Sequence, residues 1–142
     1  TLGSEDFAAS AGMQPEPDGL LVPNQQLLFA ARAAGILPLG FVGSIGDYSD
    51  LDSFRERIRR SRRLGFHGAF CIHPDQVRIM NEEFVPSPGE AEEAQSIIDS
   101  YEQALHQQRG AAGYGGKMID APVVARALET LESYKRSKLK NT

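Results

Sequence analysis

The stretch of sequence that indicates the fold reads Gly65-Phe66-His67-Gly68-Ala69-Phe70-Cys71-Ile72-His73-Pro74-Asp75-Gln76. Its centre, Ala69 to Ile72, is an apolar run without alternation, which is typical of a parallel strand covered on both faces. A glycine turn precedes this run, a polar loop follows it, and helical patterns lie on either side. This order predicts a parallel α/β fold. In such folds the chemistry lies in loops after strand ends, and His73-Pro74-Asp75-Gln76 is such a loop.

The composition is that of an ordinary globular protein. The chain has 142 residues, of which 41% are hydrophobic and 24% charged, enough for one domain with a core. A net charge of −4 argues against a general nucleic-acid binder. The single cysteine, Cys71, excludes an internal disulfide and fits a reducing compartment. No apolar run is long enough for a membrane and no signal-peptide pattern is present, so we expect a cytoplasmic protein without membrane contact.

Caps and apolar spacing predict the other elements. A strand ends at Thr1-Leu2, a short helical or turn segment follows, and a second strand covers residues 36–42. Helices are predicted at 24–34 with Asn24 as N-cap, 53–64 closed by Gly65, 74–83, 88–107 after Ser87, and 122–134. Residues 13–23 are predicted as loop, 110–116 as a mobile glycine-rich loop, and 135–142 as a frayed tail. The arginines of the 53–64 helix indicate a solvated outer face rather than a phosphate-binding patch.

Two acids far apart in the sequence are candidates for chemistry. Asp6 lies just past the first strand end, where a carboxylate can bind Mg²⁺ or cap a helix. Its neighbour Glu5 is predicted to point away. Asp120 lies between the glycine-rich loop and a proline-started helix, so it is either an acid/base on a mobile lid or an N-cap. For His73 a structural or ligand-contacting role is favoured over catalysis.

Several short motifs, taken together, resemble the citrate lyase beta-subunit-like branch, with malyl-CoA and citramalyl-CoA lyases, of the HpcH/HpaI aldolase family. They occur in the order of that family and span nearly the whole chain. They are Gly3-Ser4-Glu5-Asp6-Phe7-Ala8-Ala9 with Gly12, Ala30-Ala31-Arg32-Ala33-Ala34-Gly35-Ile36, Leu64-Gly65-Phe66-His67-Gly68, Ile72-His73-Pro74-Asp75-Gln76-Val77, Asn81 with Phe84-Pro86-Ser87, and Gly116-Lys117-Met118-Ile119-Asp120-Ala121-Pro122.

The resemblance implies the C-terminal portion of a (β/α)₈ TIM barrel plus a C-terminal helical lid segment. Residues 1–108 would belong to the barrel, from the end of strand six onward, and residues 109–142 to the glycine-rich loop and lid helix. The family's second metal ligand, a glutamate, and its substrate-binding arginine would lie upstream of Thr1. Asn24 stands where the family usually has arginine, and Leu39-Gly40 where aspartate is common.

The resemblance also implies a function. Asp6 would bind Mg²⁺, and the amides of Glu5 and Asp6 would bind the carboxylate of a keto acid. Asp120 would act as acid/base in a neighbouring subunit of a homotrimer, and Ile72, His73 and Pro74 would line the coenzyme A side. The implied activity is Mg²⁺-dependent carbon–carbon cleavage of a 3-hydroxyacyl thioester, carried by coenzyme A or an acyl carrier protein. An acyl-CoA thioesterase, a pyruvate-type class II aldolase and a non-catalytic paralogue are the alternatives.

Overall fold

The structure, a computed structural model, describes residues 1–44, 46, 49–107 and 112–139. The chain divides into two compact units, Thr1–Phe84 and Val85–Thr142. The first contains the helices α1 (Ser4–Ala11), α2 (Pro17–Ala33), α3 (Leu51–Leu64) and α4 (Pro74–Glu83). The second contains α5 (Pro88–His106), the strands β1 (Ala112–Tyr114) and β2 (Lys117–Ile119), and α6 (Ala121–Leu139).

Helix ends that carry a clear capping residue lie where the sequence predicts them. The Asp50 carboxylate accepts a hydrogen bond from Ser53 N (3.0 Å) at the start of α3. Gly65 ends this helix in the left-handed region, at φ 111°. At the start of α5, Ser87 Oγ accepts from Glu90 N (3.2 Å), and the Glu90 carboxylate accepts from Ser87 N (2.8 Å). These contacts satisfy amides that have no partner within the helix.

Helix α2 begins earlier than predicted, because the prolines of residues 13–23 do not prevent a helix. Pro17 occupies the first turn, where a missing N–H costs nothing. Pro23 lies inside the helix, and burial of Leu20 on the face shared with Asn24 and Leu28 compensates for it. Asn24 is therefore not the N-cap; it is buried within the helix, and its Nδ2 donates to Leu20 O (2.9 Å).

The two predicted strands at residues 36–42 and 69–72 are not regular strands in the described structure. Two hydrogen bonds still join residues 67–68, just before the predicted strand 69–72, to segment 36–42: His67 N donates to Pro38 O (3.1 Å) and Gly40 N donates to Gly68 O (2.8 Å). The two segments run parallel, but the pairing is irregular, because it advances by two residues in segment 36–42 and by one residue from His67 to Gly68. Pro38 also offers no N–H to a ladder. Segments and helices in this order are consistent with part of a (β/α)₈ barrel, and the closed barrel stays a prediction.

The core of the first unit lies between helices α3 and α4 and the two segments. Its buried residues are Phe41, Phe54, Ile58, Ile79 and Met80, with Ala69 and Cys71 packed against them. Phe41 and Phe54 pack edge to face, with ring centroids 5.7 Å apart. The buried Ser61 hydroxyl accepts from Val42 N (3.1 Å) and donates to Arg57 O (2.8 Å), so it links α3 to the end of segment 36–42.

In the second unit, α5 packs on α6 through Ala94, Ile98 and Ala127. The predicted mobile loop differs from the structure over residues 112–116. Strands β1 and β2 form an antiparallel hairpin whose turn, Gly115–Gly116, has positive φ angles of 55° and 75°. Such paired positive angles are typical of a tight hairpin turn. Residues 110 and 111 of that predicted loop lie outside the described residues.

Two further predictions concern the second unit and the domain boundary. Helix α6 continues to Leu139, so residues 135–139 are helical and not a frayed tail; residues 140–142 lie outside the described part. The structure divides the chain after residue 84. The predicted boundary after residue 108 marked the end of the barrel portion, and it stays a prediction. None of the helices in the described ranges combines the length and the apolar character needed to span a membrane.

Candidate active site

A cleft of about 240 Å³ lies in the first unit, where the start of α1 meets the two predicted strand segments. It is lined by Thr1, Leu2, Gly3, Ser4, Glu5, Asp6, Gly40, Phe41, Ala69 and Phe70. The structure thus brings the start of the chain to both segments that the sequence predicts as strands. The cleft contains Glu5 and Asp6, two of the predicted site residues.

Glu5 differs from its prediction, because it does not point away from this region. It lines the cleft, and its Oε1 accepts a short hydrogen bond from Ser44 Oγ. Ser44 Oγ also accepts from Gly46 N (3.0 Å). The loop after segment 36–42 is therefore tied to the first turn of α1.

Asp6 is exposed and lies in the first turn of α1. A Cβ placed on Gly3 would lie 3.1 Å from Asp6 Oδ2, so the carboxylate folds back over the glycine that begins the helix. A hard oxygen ligand beside an open cleft fits Mg²⁺, which binds one or two carboxylates and keeps several water ligands. No group of three or more metal-binding side chains occurs among the described residues.

The first backbone amides of α1 can bind an anion. The first helical hydrogen bond runs from Phe7 N to Gly3 O (2.9 Å). The amides of Glu5 and Asp6 precede it and have no partner inside the helix. The positive end of the helix dipole lies here, which favours a carboxylate ligand.

The loop Ile72-His73-Pro74 is held by polar contacts at the start of α4. Gln76 Oε1 accepts from Ile72 N (2.9 Å) and from His73 N (3.3 Å). His73 Nδ1 accepts from Asp75 N (3.3 Å) and lies 3.5 Å from Asp75 Oδ2. His73 is thus the N-cap of α4, which fits the structural or contact role predicted for it.

Asp120 caps helix α6 in the second unit. Its Oδ1 accepts from Val123 N (3.2 Å), and its main-chain oxygen accepts from Val123 N and Val124 N (3.1 Å each). Within the described ranges, Oδ2 has no hydrogen-bond partner. Asp120 therefore caps the helix, which is one of the two roles considered for it, and the cap leaves one carboxylate oxygen available for a proton transfer. The neighbouring Met118 is 71% exposed.

Two arginines of α3, Arg55 and Arg59, pair with acids of α4, which fits the prediction of a partly neutralised outer face. Arg55 pairs with Glu82 (2.7 Å) and with Glu83, and Arg59 pairs with Glu83 (2.7 Å). Burial raises the pKa of the Glu83 carboxyl, but hydrogen bonds from Arg59 and Arg55 outweigh burial, so this pKa lies below its ordinary value of 4.5. The network fastens α4 to α3 and leaves less charge for a phosphate patch.

Two residues of these sites were not assigned a role from the sequence. Ser44 contacts Glu5 across 39 positions, and no local pattern indicates a contact of that range. Gln76 lies three residues after the N-cap His73, and this spacing is the available signal for a capping box.

Comparison with known proteins shows what the chain resembles. No protein-family model matches it. It is 36% identical over 146 residues to an L-malyl-CoA/beta-methylmalyl-CoA lyase of Cereibacter sphaeroides, a match covering 89% of this chain and 45% of the lyase. It is 35% identical over 136 residues to citrate lyase subunit beta of Haemophilus influenzae, covering 94% of this chain and 46% of that subunit.

Two solved structures that are similar to this chain carry names related to those of the relatives. CitE from Mycobacterium tuberculosis, in complex with magnesium, acetoacetate and coenzyme A, is 27% identical with a TM-score of 0.65. That match covers 79% of this chain and 40% of CitE. A citrate lyase from Burkholderia xenovorans, 18% identical with a TM-score of 0.62, shares the fold over 81% of this chain and 35% of its own.

The chain has homologues named as malyl-CoA lyases and citrate lyase beta subunits, and the resemblance seen in its motifs is confirmed. The chain spans less than half the length of each of these relatives.

Proposed function

We propose that the full-length protein containing this chain is a Mg²⁺-dependent carbon–carbon lyase acting on a 3-hydroxyacyl thioester of the malyl, citramalyl or citryl type. The observation that carries the proposal is the position of Asp6 and the first amides of α1 beside a cleft between the two strand segments. Relatives named for malyl-CoA and citrate cleavage, and a homologous structure with magnesium and coenzyme A, support the same class of reaction.

In this proposal Asp6 holds the metal ion and the helix start holds the substrate. Bound Mg²⁺ would polarise the hydroxyl and carboxylate oxygens of the acid portion. The amides of Glu5 and Asp6 donate to that carboxylate and fix its orientation. The bond between the hydroxyl-bearing carbon and the carbon beside the thioester then breaks. The hydroxyl gives up its proton to water as the keto group forms, and the electron pair of the broken bond leaves with the thioester as an enolate.

Asp120 completes the reaction by donating a proton to the carbon of the thioester enolate, and it regains a proton from water before the next turnover. Its Oδ1 is engaged as a helix cap, so Oδ2 is the oxygen that carries the proton. We assign this role to Asp120 of a neighbouring subunit, in a homotrimer whose sites each borrow one lid segment. The thioester carrier, coenzyme A or an acyl carrier protein, lies along the loop Ile72-His73-Pro74.

The test uses purified full-length protein with malyl-, citramalyl- and citryl-CoA, with Mg²⁺ and with EDTA. We expect keto acid or acetyl-CoA release that requires Mg²⁺ and falls by about 100-fold in Asp6→Asn, since the metal site loses its charged ligand. Asp18→Asn, the same change in the exposed first turn of α2, is the matched control and keeps full activity. Release of free coenzyme A without a keto acid would indicate a thioesterase. No product from any thioester would support a non-catalytic paralogue.

A further inference from the structure

The second unit contains a cleft of about 390 Å³ between helices α5 and α6 and the β1–β2 hairpin. Each of these three elements supplies four of the residues that line it, so one unit builds the whole cleft. On both helices the lining residues follow a spacing of three and four, which places them on one helix face. The volume lies within the range of small-molecule sites, roughly 300–1,000 Å³.

The interior of the cleft is apolar. Three of its lining residues are buried, namely Ala94, Ala127 and Ile119. The two alanines lie where α5 packs on α6, and their small side chains leave room that larger residues would fill. Met118 also lines the cleft and is 71% exposed. A flexible methionine beside buried apolar residues can adapt to the apolar part of a ligand.

Charged side chains of both signs line the same cleft without pairing. Lys117 of the hairpin, Arg126 of α6 and Glu93 of α5 are exposed there. Among the described residues, none of these three side chains has a hydrogen-bond or ion-pair partner. Glu90, the other lining acid, differs, because its carboxylate accepts from Ser87 N (2.8 Å). Of the described lining residues, two unpaired cations and one unpaired carboxylate therefore remain to meet a ligand.

We infer that this cleft is a binding site for a small zwitterion, an α-amino acid with an apolar side chain. Arg126 and Lys117 bind its carboxylate, for which a guanidinium supplies two parallel N–H donors. Glu93 accepts hydrogen bonds from the ammonium group of the ligand. The side chain of the ligand packs against Met118 and the buried apolar residues of the cleft.

Other ligand classes match this lining less well. A simple anion brings its charge near Glu93, and a simple amine brings its charge near two cations, so each meets repulsion in the cleft. A neutral apolar ligand leaves three charged groups partly dehydrated without a partner. A ligand with both charges satisfies all three groups. Its binding is measured without any thioester, so the inference does not depend on the proposed function.

The first measurement is calorimetric titration of the full-length protein with L-leucine and with three relatives that each lack one feature. Isocaproate lacks the ammonium group, isoamylamine lacks the carboxylate, and glycine lacks the apolar side chain. We expect L-leucine to bind at least about tenfold more tightly than each of them, since each loses one set of contacts. The inference is overturned by equal binding of isocaproate, or by no binding of L-leucine, L-phenylalanine and L-methionine at up to about 10 mM.

Variants that remove one charge test the location of the site. Arg126→Gln and Glu93→Gln should each weaken L-leucine binding about tenfold or more. Arg136→Gln on α6 and Glu92→Gln on α5 are the matched controls, because both residues are exposed and lie outside the lining of the cleft. All four positions are exposed, so thermal melts should show four folded variants. Unchanged affinity in either Arg126→Gln or Glu93→Gln, or an equal loss in the controls, overturns the inference.

Hydrogen exchange tests whether the bound ligand lies in the second unit. A ligand that contacts α5, α6 and the hairpin ties the three elements together, so saturating L-leucine should slow exchange of the β2 amides about threefold or more. Amides of α3, in the first unit, should exchange at the same rate with and without the ligand. Unchanged exchange in β2 despite binding, or slower exchange in α3 alone, would place the ligand elsewhere and overturn the inference.

Discussion

The Ser44 hydroxyl donates a hydrogen bond to the Glu5 carboxylate and thereby joins the loop after segment 36–42 to the first turn of α1. This turn carries Asp6 and the amides assigned to the substrate carboxylate. The contact fixes the helix start relative to the cleft that the same residues line. It also leaves the Glu5 side chain engaged, so that the Glu5 main chain is the part able to meet a ligand.

Ser44→Ala should weaken binding of the acid portion of the substrate. The pair is exposed, so we expect a rise in KM of about two- to fivefold with little change in kcat. Steady-state kinetics of the full-length protein measures both values. Ser10→Ala, at an exposed serine of α1, serves as control and should leave both values unchanged. An unchanged KM in Ser44→Ala would show that α1 holds its position without this contact.

Gly3→Ala should disturb the Asp6 carboxylate without disturbing the fold. The φ angle of Gly3, −77°, is ordinary for alanine, but the new Cβ would lie 3.1 Å from Asp6 Oδ2. We expect the Mg²⁺ concentration for half-maximal activity to rise about threefold or more, because Mg²⁺ tolerates little distortion of its ligands. Gly89→Ala is the matched control, since an added Cβ there meets nothing within 4 Å. Equal Mg²⁺ dependence in the two variants would contradict the metal role of Asp6.

Asp120 has a capping role and a proposed chemical role, and two substitutions separate them. Asparagine caps helices as well as aspartate does, so Asp120→Asn should leave the free energy of unfolding within about 0.5 kcal/mol, whereas Asp120→Ala should lower it by about 1 kcal/mol. Activity should fall by about 100-fold or more in both variants, because both lose the ionisable oxygen. Thermal melts measure the stability of each variant, and turnover of the full-length protein measures its activity. Full activity in Asp120→Asn would show that Asp120 acts only as a helix cap.

Glu83 makes the stability of the first unit sensitive to acid. Its pKa is lower in the folded protein than its ordinary value of 4.5, so the unfolded state binds the proton more readily. The stabilisation is present above pH 4.5 and is lost as the pH falls through the lower pKa of the folded state. Glu83→Gln should therefore be less stable than the parent at neutral pH, with a difference that shrinks in acid. Glu93→Gln, on the exposed side of α5, should show no such pH dependence in denaturant titrations.

Local sequence signals predict the parts of the fold that local contacts determine. Helices α3 and α5 begin near their predicted positions because Asp50 and Ser87 cap their first turns, and α3 ends as predicted at Gly65. The early start of α2 was not predicted, since burial of Leu20 depends on tertiary packing. The hairpin was not predicted either, although Gly115-Gly116 is a strong turn signal.

In the candidate site, too, the sequence predicts what local contacts determine and misses what depends on tertiary packing. The sequence predicts Asp6 beside a strand end, and the structure places it in a cleft with Gly40 and Ala69 of both predicted strand segments. Ser44 is not accessible to such reasoning, because a hydrogen bond across 39 residues depends on how the chain folds back. Asp6 and Asp120 lie in different units, and their meeting at one site stays a prediction.

The side chains of Ile36, Leu37 and Phe70 are 63%, 62% and 63% exposed, and all three belong to the two segments with irregular backbone pairing. Exposed apolar side chains on neighbouring extended segments favour self-association. Produced on its own, this polypeptide should therefore tend toward inclusion bodies. Polar replacements at these three positions would be the first to try for a well-behaved sample.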